Sequence, residues 1–420
     1  MMLSFLLRTV SVSILRAGFS LSSNLKRLRS LGKPPRILVE KPYRGGSVLL
    51  IALYEKGRLR PDIERMVKIA KDKNFYVIGV NSAKLVDRQA IDSLFDVYIE
   101  RFNFGRDFGS YKDGFQYIFS KGLQTSCTRL VMLNDSIFYV EGKVGAFLDS
   151  LNTSTIDVLG ATENFEIEHH LGSFCISVSP RVLQDARFHV YWKQYRNSDI
   201  RPNVIKAGEL KLSKTLRACA QSEDAFRALY NVSSLATYLN SNKEAVGEAF
   251  NLVRKSRLVQ WKTITPKALL QVIEDRHLVN LGGHYTPKDL LNADSKEYPA
   301  KSLLLNSLSD VTRFLNEYYN IDPHTAQTLC TVAAYNSILE TFVSGSQIHQ
   351  NAALLLKLGS PLIKLDGVYR GMFDMFDLRN IEMSLEPRDI QELRTLLLSR
   401  PYGGDVLFGM SRMAFFRGLI

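Results

Sequence analysis

Between Gly45 and Cys219 the chain alternates short apolar runs with amphipathic segments, and this alternation restricts the fold more than any other feature. An unbroken run such as Val48-Leu49-Leu50-Ile51-Ala52-Leu53 fits a strand buried on both faces, as in a parallel sheet. The segment 61–72 carries Ile63, Met66, Val67 and Ala70 at helical spacing. The pattern then predicts a strand over 75–80, a helix over 87–94 and a short strand over 97–99. A helix is expected over 111–121, where Tyr111, Phe115, Ile118 and Phe119 share a face, and a strand over 130–133. A helix over 144–151, a strand over 157–160, an antiparallel strand over 173–178 and a helix from Pro180 complete the series. Strand and helix in turn imply βαβ units and a mostly parallel sheet.

Beyond Gln221 the period changes. Residues 225–230, 243–259, 266–273, 301–319 and 326–342 all have helical spacing, and 275–300 is rich in Gly, Pro, Asn and Asp, as a loop or linker would be. The expected organisation is a basic amphipathic segment at 1–44, an α/β domain at 45–225 and a mainly helical region at 226–420. A chain of 420 residues suits two compact units.

Charge is concentrated at one end. Residues 1–44 hold nine basic side chains against the single acid Glu40, which accounts for eight of the twelve net positive charges. A basic tail on a balanced body argues against a nucleic-acid enzyme, whose basic surface belongs on the folded domain. Arg8 and Arg16 interrupt the apolar residues of 1–21, so the segment is expected neither to span a bilayer, which takes about 20 apolar residues, nor to act as a signal peptide. An amphipathic helix on an anionic membrane surface is expected instead, with Lys26, Arg27 and Arg29 adding attraction. Cys127, Cys175, Cys219 and Cys330 are dispersed without a CxxC pair, which fits a reducing cytoplasm and offers no zinc site.

The chemistry concentrates between residues 101 and 136. A polar, glycine-punctuated loop bearing Asp107 lies next to the strand 130–133, which stops at Asn134-Asp135-Ser136. In α/β domains ligands collect where the carboxyl ends of strands meet such loops. A carboxylate at that edge is placed to hold a metal-bound diphosphate, which points to a nucleotide-sugar enzyme. On local grounds alone, Asn-Asp-Ser also suits an Asx turn closing a strand. Likewise, Ser110 as a cap and Asp113 in a first helical turn would explain that part of the loop without a ligand.

The run from Gly105 to Gly114, followed by Leu133-Asn134-Asp135-Ser136, Leu159-Gly160-Ala161-Thr162 and Ser173-Phe174, resembles the rhamnan synthesis F family of bacterial polysaccharide glycosyltransferases. Phe188-x-x-Tyr191-Trp192, the stretch Gly208–Ser213 and the stretch Gly359–Asp366 resemble its continuation. Two positions depart from the family's pattern: Leu53-Tyr54 stands where a His-aromatic pair often ends the first strand, and Gly172 where Gln commonly precedes the Ser-aromatic pair. The resemblance implies a GT-A-like nucleotide-sugar-binding fold and transfer of a deoxyhexose, L-rhamnose from its dTDP donor, to a growing O-antigen, rhamnan or other wall polysaccharide.

Asn134-Asp135-Ser136 occupies the place where GT-A enzymes hold an Asp-x-Asp pair, so Asp135 is the expected ligand of Mg²⁺ or Mn²⁺. Asp107 and Tyr111 are the expected contacts to donor sugar or nucleotide, Arg106 or Lys112 the diphosphate partner, and Asn134 and Ser136 complete the set. Glu163, in a cluster with Glu166, Glu168, His169 and His170, is the candidate base for the acceptor hydroxyl. Glu209 is a candidate to orient acceptor or base. Lys364 is expected to snorkel or pair with Asp366, with a phosphate contact the sharper alternative, and Tyr191 and Trp192 are expected in the core. The expected partners are a nucleotide-sugar and a lipid-linked or polysaccharide acceptor, with the protein peripheral on the cytoplasmic face of the plasma membrane. The rival readings are a catalytically weak glycan-binding or scaffold subunit of an assembly complex, and a nucleotidyl- or phosphotransferase using the same sheet edge.

Overall fold

The structure, a computed structural model, describes residues 2–254, 264–278, 305–366, 368, 372–398, 409–416, 418 and 419. Two compact units emerge. The first holds residues 1–229 together with 359–371 and 385–420, and the second holds 230–358 and 372–384. The helical region expected as one stretch over 226–420 is therefore divided, with two of its segments returning to the first unit.

In the first unit, helix α1 (Met2–Ser30) precedes the edge strand β1 (Arg36–Glu40). The alternating pattern follows: β2 (Gly46–Leu53), α2 (Pro61–Asp72), β3 (Tyr76–Asn81), α3 (Arg88–Leu94), β4 (Val97–Glu100), α4 (Arg106–Ser120), β5 (Cys127–Asn134), β6 (Ile137–Tyr139) and α5 (Glu141–Asn152). Then come β7 (Val158–Asn164), β8 (His170–Leu171), β9 (Cys175–Val178), α6 (Pro180–Leu183), α7 (Ala186–Gln194) and β10 (Phe226–Tyr230). Strand β11 (Leu362–Lys364) pairs antiparallel with β6, Lys364 lying opposite Ile137.

The main sheet runs in the order β1-β4-β3-β2-β5-β9-β7-β10. Strands β4, β3, β2 and β5 are parallel, β1 is antiparallel to β4, and β9 is antiparallel to both β5 and β7. The fold is thus α/β around a mixed, largely parallel sheet. From β2 the chain moves outward through β3 and β4, then returns to β5 on the other flank of β2. Ala52 faces Asn134 in that pairing. The order reverses between β2 and β5, and the crevice beyond their carboxyl ends is where ligands bind in open α/β sheets.

Helix α4 begins at Arg106, five residues earlier than the apolar spacing predicts. Gly105 takes a left-handed conformation (φ 93°), and Asp107 stands in the first helical turn, its Oδ1 accepting the Phe108 N–H at 3.0 Å. Ser110 is therefore buried inside the helix and is not its cap. Phe108, Tyr111 and Phe115 of α4 pack on Phe188, Tyr191 and Trp192 of α7, with the Phe115 and Trp192 rings stacked at 4.5 Å. Tyr191 and Trp192 are core residues, as the spacing indicated.

Of residues 225–230, expected as helix, Phe226–Tyr230 form strand β10 instead. Phe226, Ala228 and Tyr230 are buried while Arg227 and Leu229 point outward, a period of two that prevails over the helical reading. All four cysteines are free and buried.

The second unit is helical. Its longest helix, Pro323–Phe342, packs against helices Leu308–Tyr319, Pro266–Ile273 and Ala245–Leu252. The expected helix 243–259 is observed over Ala245–Leu252, and 301–319 over Leu308–Tyr319. Residues 255–259 and most of the expected linker 275–300 lie outside the described residues. Among the described residues no helix is long and apolar enough to cross a membrane.

Candidate functional site

The carboxyl ends of β2 and β5 and the first turn of α4 converge. Asn134, the last residue of β5, donates from Nδ2 to Asp107 Oδ2 at 3.0 Å. Its Oδ1 accepts both the Ser136 N–H at 3.2 Å and the Ser136 hydroxyl at 2.5 Å, so the Asx turn foreseen on local grounds is formed. Lys364, brought in by β11, donates from Nζ to Ser136 Oγ at 2.6 Å and lies over the Phe174 ring at 5.2 Å. Asp107, Asn134, Ser136 and Lys364 are thus one continuous polar cluster.

Asp135 faces the β2 side of the same edge. Its carboxylate accepts the Tyr54 N–H, and its backbone carbonyl accepts from Arg60 Nη1 at 2.7 Å. Arg60 also forms a bidentate pair with Asp62 at 2.9 Å and approaches Glu55 at 3.8 Å. Burial pushes the Asp135 carboxyl up to about 6, against the pull of Arg60, with the charge of Asp107 adding to the rise. Glu55 is pushed further, to about 8, by burial, which Arg60 offsets in part, and by the charges of Asp135 and Asp62. Asp107 is likewise raised, chiefly by burial. This edge therefore holds carboxyl groups more readily protonated than free ones.

A second polar group lies along α4 toward β8. For Glu209, burial opposes the charge, yet its contact with His170 keeps the carboxyl below its ordinary value. His170 Nε2 lies 3.6 Å from Glu209 Oε2, and its Nδ1 lies 2.7 Å from the Glu168 carbonyl oxygen. Burial is the largest influence and disfavours the imidazolium, but the Glu209 carboxylate, the Glu168 carbonyl and the charge of Glu166 together outweigh it, and His170 is raised. The hydroxyl of Tyr195, a side chain only 5% exposed, has no hydrogen-bond partner among the described residues. It lies in the field of Asp107 and Glu209, whose charges add to burial in raising it.

The other predicted residues divide. Arg106 is exposed beside Asp107, in a left-handed conformation of φ 55°. Tyr111 has no exposed surface and donates to the Ser173 carbonyl at 3.1 Å, so its role in the structure is packing and support of the Ser173-Phe174 turn. Lys112 donates to the Tyr195 carbonyl at 2.6 Å, which turns its amine toward α7. Glu163 stands at the carboxyl end of β7, paired in register with Leu171, with His169 Nε2 3.5 Å from its Oε1. His169 in turn meets Arg217 at 2.7 Å and stacks on Phe165.

Sequence reasoning missed Glu55, Arg60 and Tyr195. The first two follow β2 and reach the site only through the pairing of β2 with β5. Tyr195 follows a helix already assigned to the core, and no local signal distinguished its hydroxyl. Among the described residues no group of three or more His, Cys, Asp or Glu side chains is arranged to hold a metal ion.

Part of this site, from β3 to Glu209, lies in a stretch that a family model describes, whereas β2, Glu55, Arg60 and Lys364 lie outside it. Residues 77–238 match the family model of rhamnan synthesis protein F. The rhamnan synthesis F match includes Asp107, Asn134, Asp135, Glu163 and Glu209, and it coincides with the family indicated by the motifs. It connects this region to polysaccharide biosynthesis. A protein of Sinorhizobium fredii, named uncharacterized protein y4gN, is 26% identical over 205 residues, covering 46% of this chain and 53% of that protein. Virulence protein VirA of Vibrio anguillarum is 31% identical over 113 residues, covering 26% of this chain and 35% of that protein. The chain spans about half the length of the first of these relatives and about a third of the second.

Proposed function

We propose that the protein is a glycosyltransferase of polysaccharide synthesis that moves a deoxyhexose, L-rhamnose, from its dTDP donor to a growing cell-surface glycan. The observation that carries this reading is the polar cluster of Asp107, Asn134, Ser136 and Lys364 at the point where strand order reverses between β2 and β5. Hydrogen-bonding side chains gathered around the Lys364 amine suit a sugar joined to a diphosphate. In the transfer, the bond from the anomeric carbon to the diphosphate oxygen breaks, and the acceptor oxygen takes its place. The acceptor's proton goes to a carboxylate, for which Glu163 at the end of β7 is the candidate. Lys364 and Arg106 balance charge growing on the leaving diphosphate.

A divalent cation fits this edge only in part. Asp135 and Asp107 carry carboxylates close enough for Asp107 to raise the Asp135 carboxyl, the kind of mutual repulsion that a cation relieves. With so few protein ligands, the diphosphate itself and water would have to complete the shell. When bound, the cation would add Lewis-acid neutralisation of the leaving group.

One observation favours a second reading, a glycan-binding subunit without turnover: the Asp135 carboxylate is already engaged by the Tyr54 N–H. One experiment separates the two. The chain is incubated with dTDP-L-rhamnose and other nucleotide-sugars, with Mg²⁺ or Mn²⁺ and a polysaccharide acceptor, and nucleoside diphosphate release is followed. Release that Asp135→Ala abolishes supports the transferase. Its absence for every donor, with glycan binding retained, supports the second reading.

A further inference from the structure

Helix α1 carries two opposed faces. On one side Leu15, 2% exposed, packs on Ala414 and Leu419 with Phe19 beside it. One turn further along, Ser23 Oγ accepts the Asp199 N–H at 3.2 Å, and Lys26 Nζ donates to Asp199 Oδ2 at 2.9 Å. These residues recur at three- and four-residue steps and fix the helix to the first unit. Leu21, Leu25 and Leu28 fall within about 60° of one another on the opposite side, at 3.6 residues per turn. They are 64%, 49% and 59% exposed, in a protein whose other apolar helix faces are mostly covered.

Charge decides what such a face meets. Helix α1 contains no acidic residue; Arg16, Arg27 and Arg29 are exposed, Arg29 about 40° from Leu25 at the edge of the leucine stripe and Arg27 about 100° from Leu28. A second protein copy would bring the same positive flanks and be repelled. An anionic lipid surface offers an apolar interior for the leucines and negative head groups for the arginines.

We propose that the Leu21–Leu25–Leu28 face of α1 docks flat on an anionic lipid surface. The contact also places the candidate site. Asp199, which holds Lys26 through one carboxylate oxygen, accepts the Gly105 N–H at 2.8 Å through the other. Gly105 precedes the first residue of α4, so the lipid-facing helix is bonded to the turn that carries Asp107, and a docked α1 would hold the candidate site beside the surface that carries a lipid-anchored acceptor. That last consequence rests on the transferase reading; the docking does not.

The test is co-sedimentation of the full chain with vesicles of phosphatidylcholine alone or mixed with phosphatidylglycerol, beside L21D/L25D/L28D and, separately, R27A/R29A. All five positions are exposed, and an unchanged melting temperature verifies that each variant is folded. The unaltered chain should partition to the mixed vesicles at least ten-fold better than to neutral ones. The leucine variant should lose at least ten-fold of that binding, and the arginine variant should lose its salt-sensitive part. Equal binding of the unaltered chain and the leucine variant overturns the proposal, as does failure of the unaltered chain to bind mixed vesicles. A dimer in solution that the leucine variant splits, without lipid binding, overturns it in favour of a second copy. Glycosyl transfer to a soluble acceptor, measured without vesicles, should be the same in all variants, which separates failure of docking from failure of the transferase reading.

Discussion

Asn134 Nδ2 donates to Asp107 Oδ2 across 3.0 Å, tying the end of β5 to the first turn of α4. The amide serves both neighbours at once, since its oxygen holds Ser136. Removing the Asp107 charge without changing its shape is the simplest probe of the pair. Asp107→Asn should lower transfer about 100-fold or more, the scale for loss of a pre-oriented charged group at a reacting centre. Circular dichroism melting should fall modestly, because the amide keeps only one of the two acceptor oxygens that the Phe108 N–H and Asn134 Nδ2 now use. Wild-type rates in the variant would remove Asp107 from the mechanism.

Lys364 should act on donor affinity. Replacing it with Met keeps an unbranched apolar stem and removes the amine that meets Ser136 and lies over the Phe174 ring. A charge-assisted hydrogen bond is worth about 1.5–3 kcal/mol, so nucleoside diphosphate binding should weaken roughly ten- to hundred-fold. Titration calorimetry with dTDP measures this directly. Lys364→Arg should recover part of the loss, and equal affinity in all three proteins would argue that the amine is structural.

Glu163→Gln separates chemistry from binding. A base lost from the acceptor side should lower kcat by about 10²–10⁴, with the dTDP-sugar dissociation constant unchanged. An equal fall in donor affinity would mean that the residue supports the β7–β8 hairpin through His169 and not the reaction.

Protons should stabilise this fold above the ordinary carboxylate range. Glu55 is raised by burial to about 8 in the folded state, against about 4.3 when unfolded. The folded state therefore binds more protons between those values. Stability from this group is full below about pH 4 and is lost as pH rises toward about 8. Asp135, raised to about 6, loses its share earlier. Glu55→Gln cannot titrate, so its melting temperature should gain on the wild type steadily from pH 5 to pH 8. Parallel curves over that interval would refute the assignment.

Gly109 should tolerate no side chain. A Cβ there would stand 2.6 Å from Arg101 Nη2 and 2.7 Å from the Phe104 carbonyl oxygen. Arg101 Nη2 donates to that same oxygen at 2.7 Å and Nε pairs with Asp113 at 2.6 Å, so an added methyl would unseat the guanidinium. Gly109→Ala should cost about 1–3 kcal/mol in urea unfolding. A cost near zero would mean that the loop before α4 shifts freely.

The parallel strands were legible because burial on both faces gives continuous apolar runs, as in β2 and β5. The edge strands were not. Arg36–Glu40 is mostly exposed, and β6 and β11 have three residues each, too few for a period to show. Asp107, Asn134 and Ser136 could be read from the sequence since a glycine-marked loop and an abrupt strand end are local signals. Glu55 and Arg60 have no such mark, and only the register of Ala52 with Asn134 brings them there. Lys364 was weighed as a phosphate contact, but its meeting with a residue 228 positions away is a property of the closed fold alone.

That pairing of β11 with β6 also orders events during synthesis. The sheet from β2 to β9 can close once its own strands have left the ribosome, yet the amine beside Ser136 arrives only after residues 230–358 of the second unit have been made. A nascent or truncated chain ending before Gly359 would have the sheet edge without its cation. The later part of translation thus delivers the Lys364 amine, and a product cut short before it would have the sheet edge without that contact.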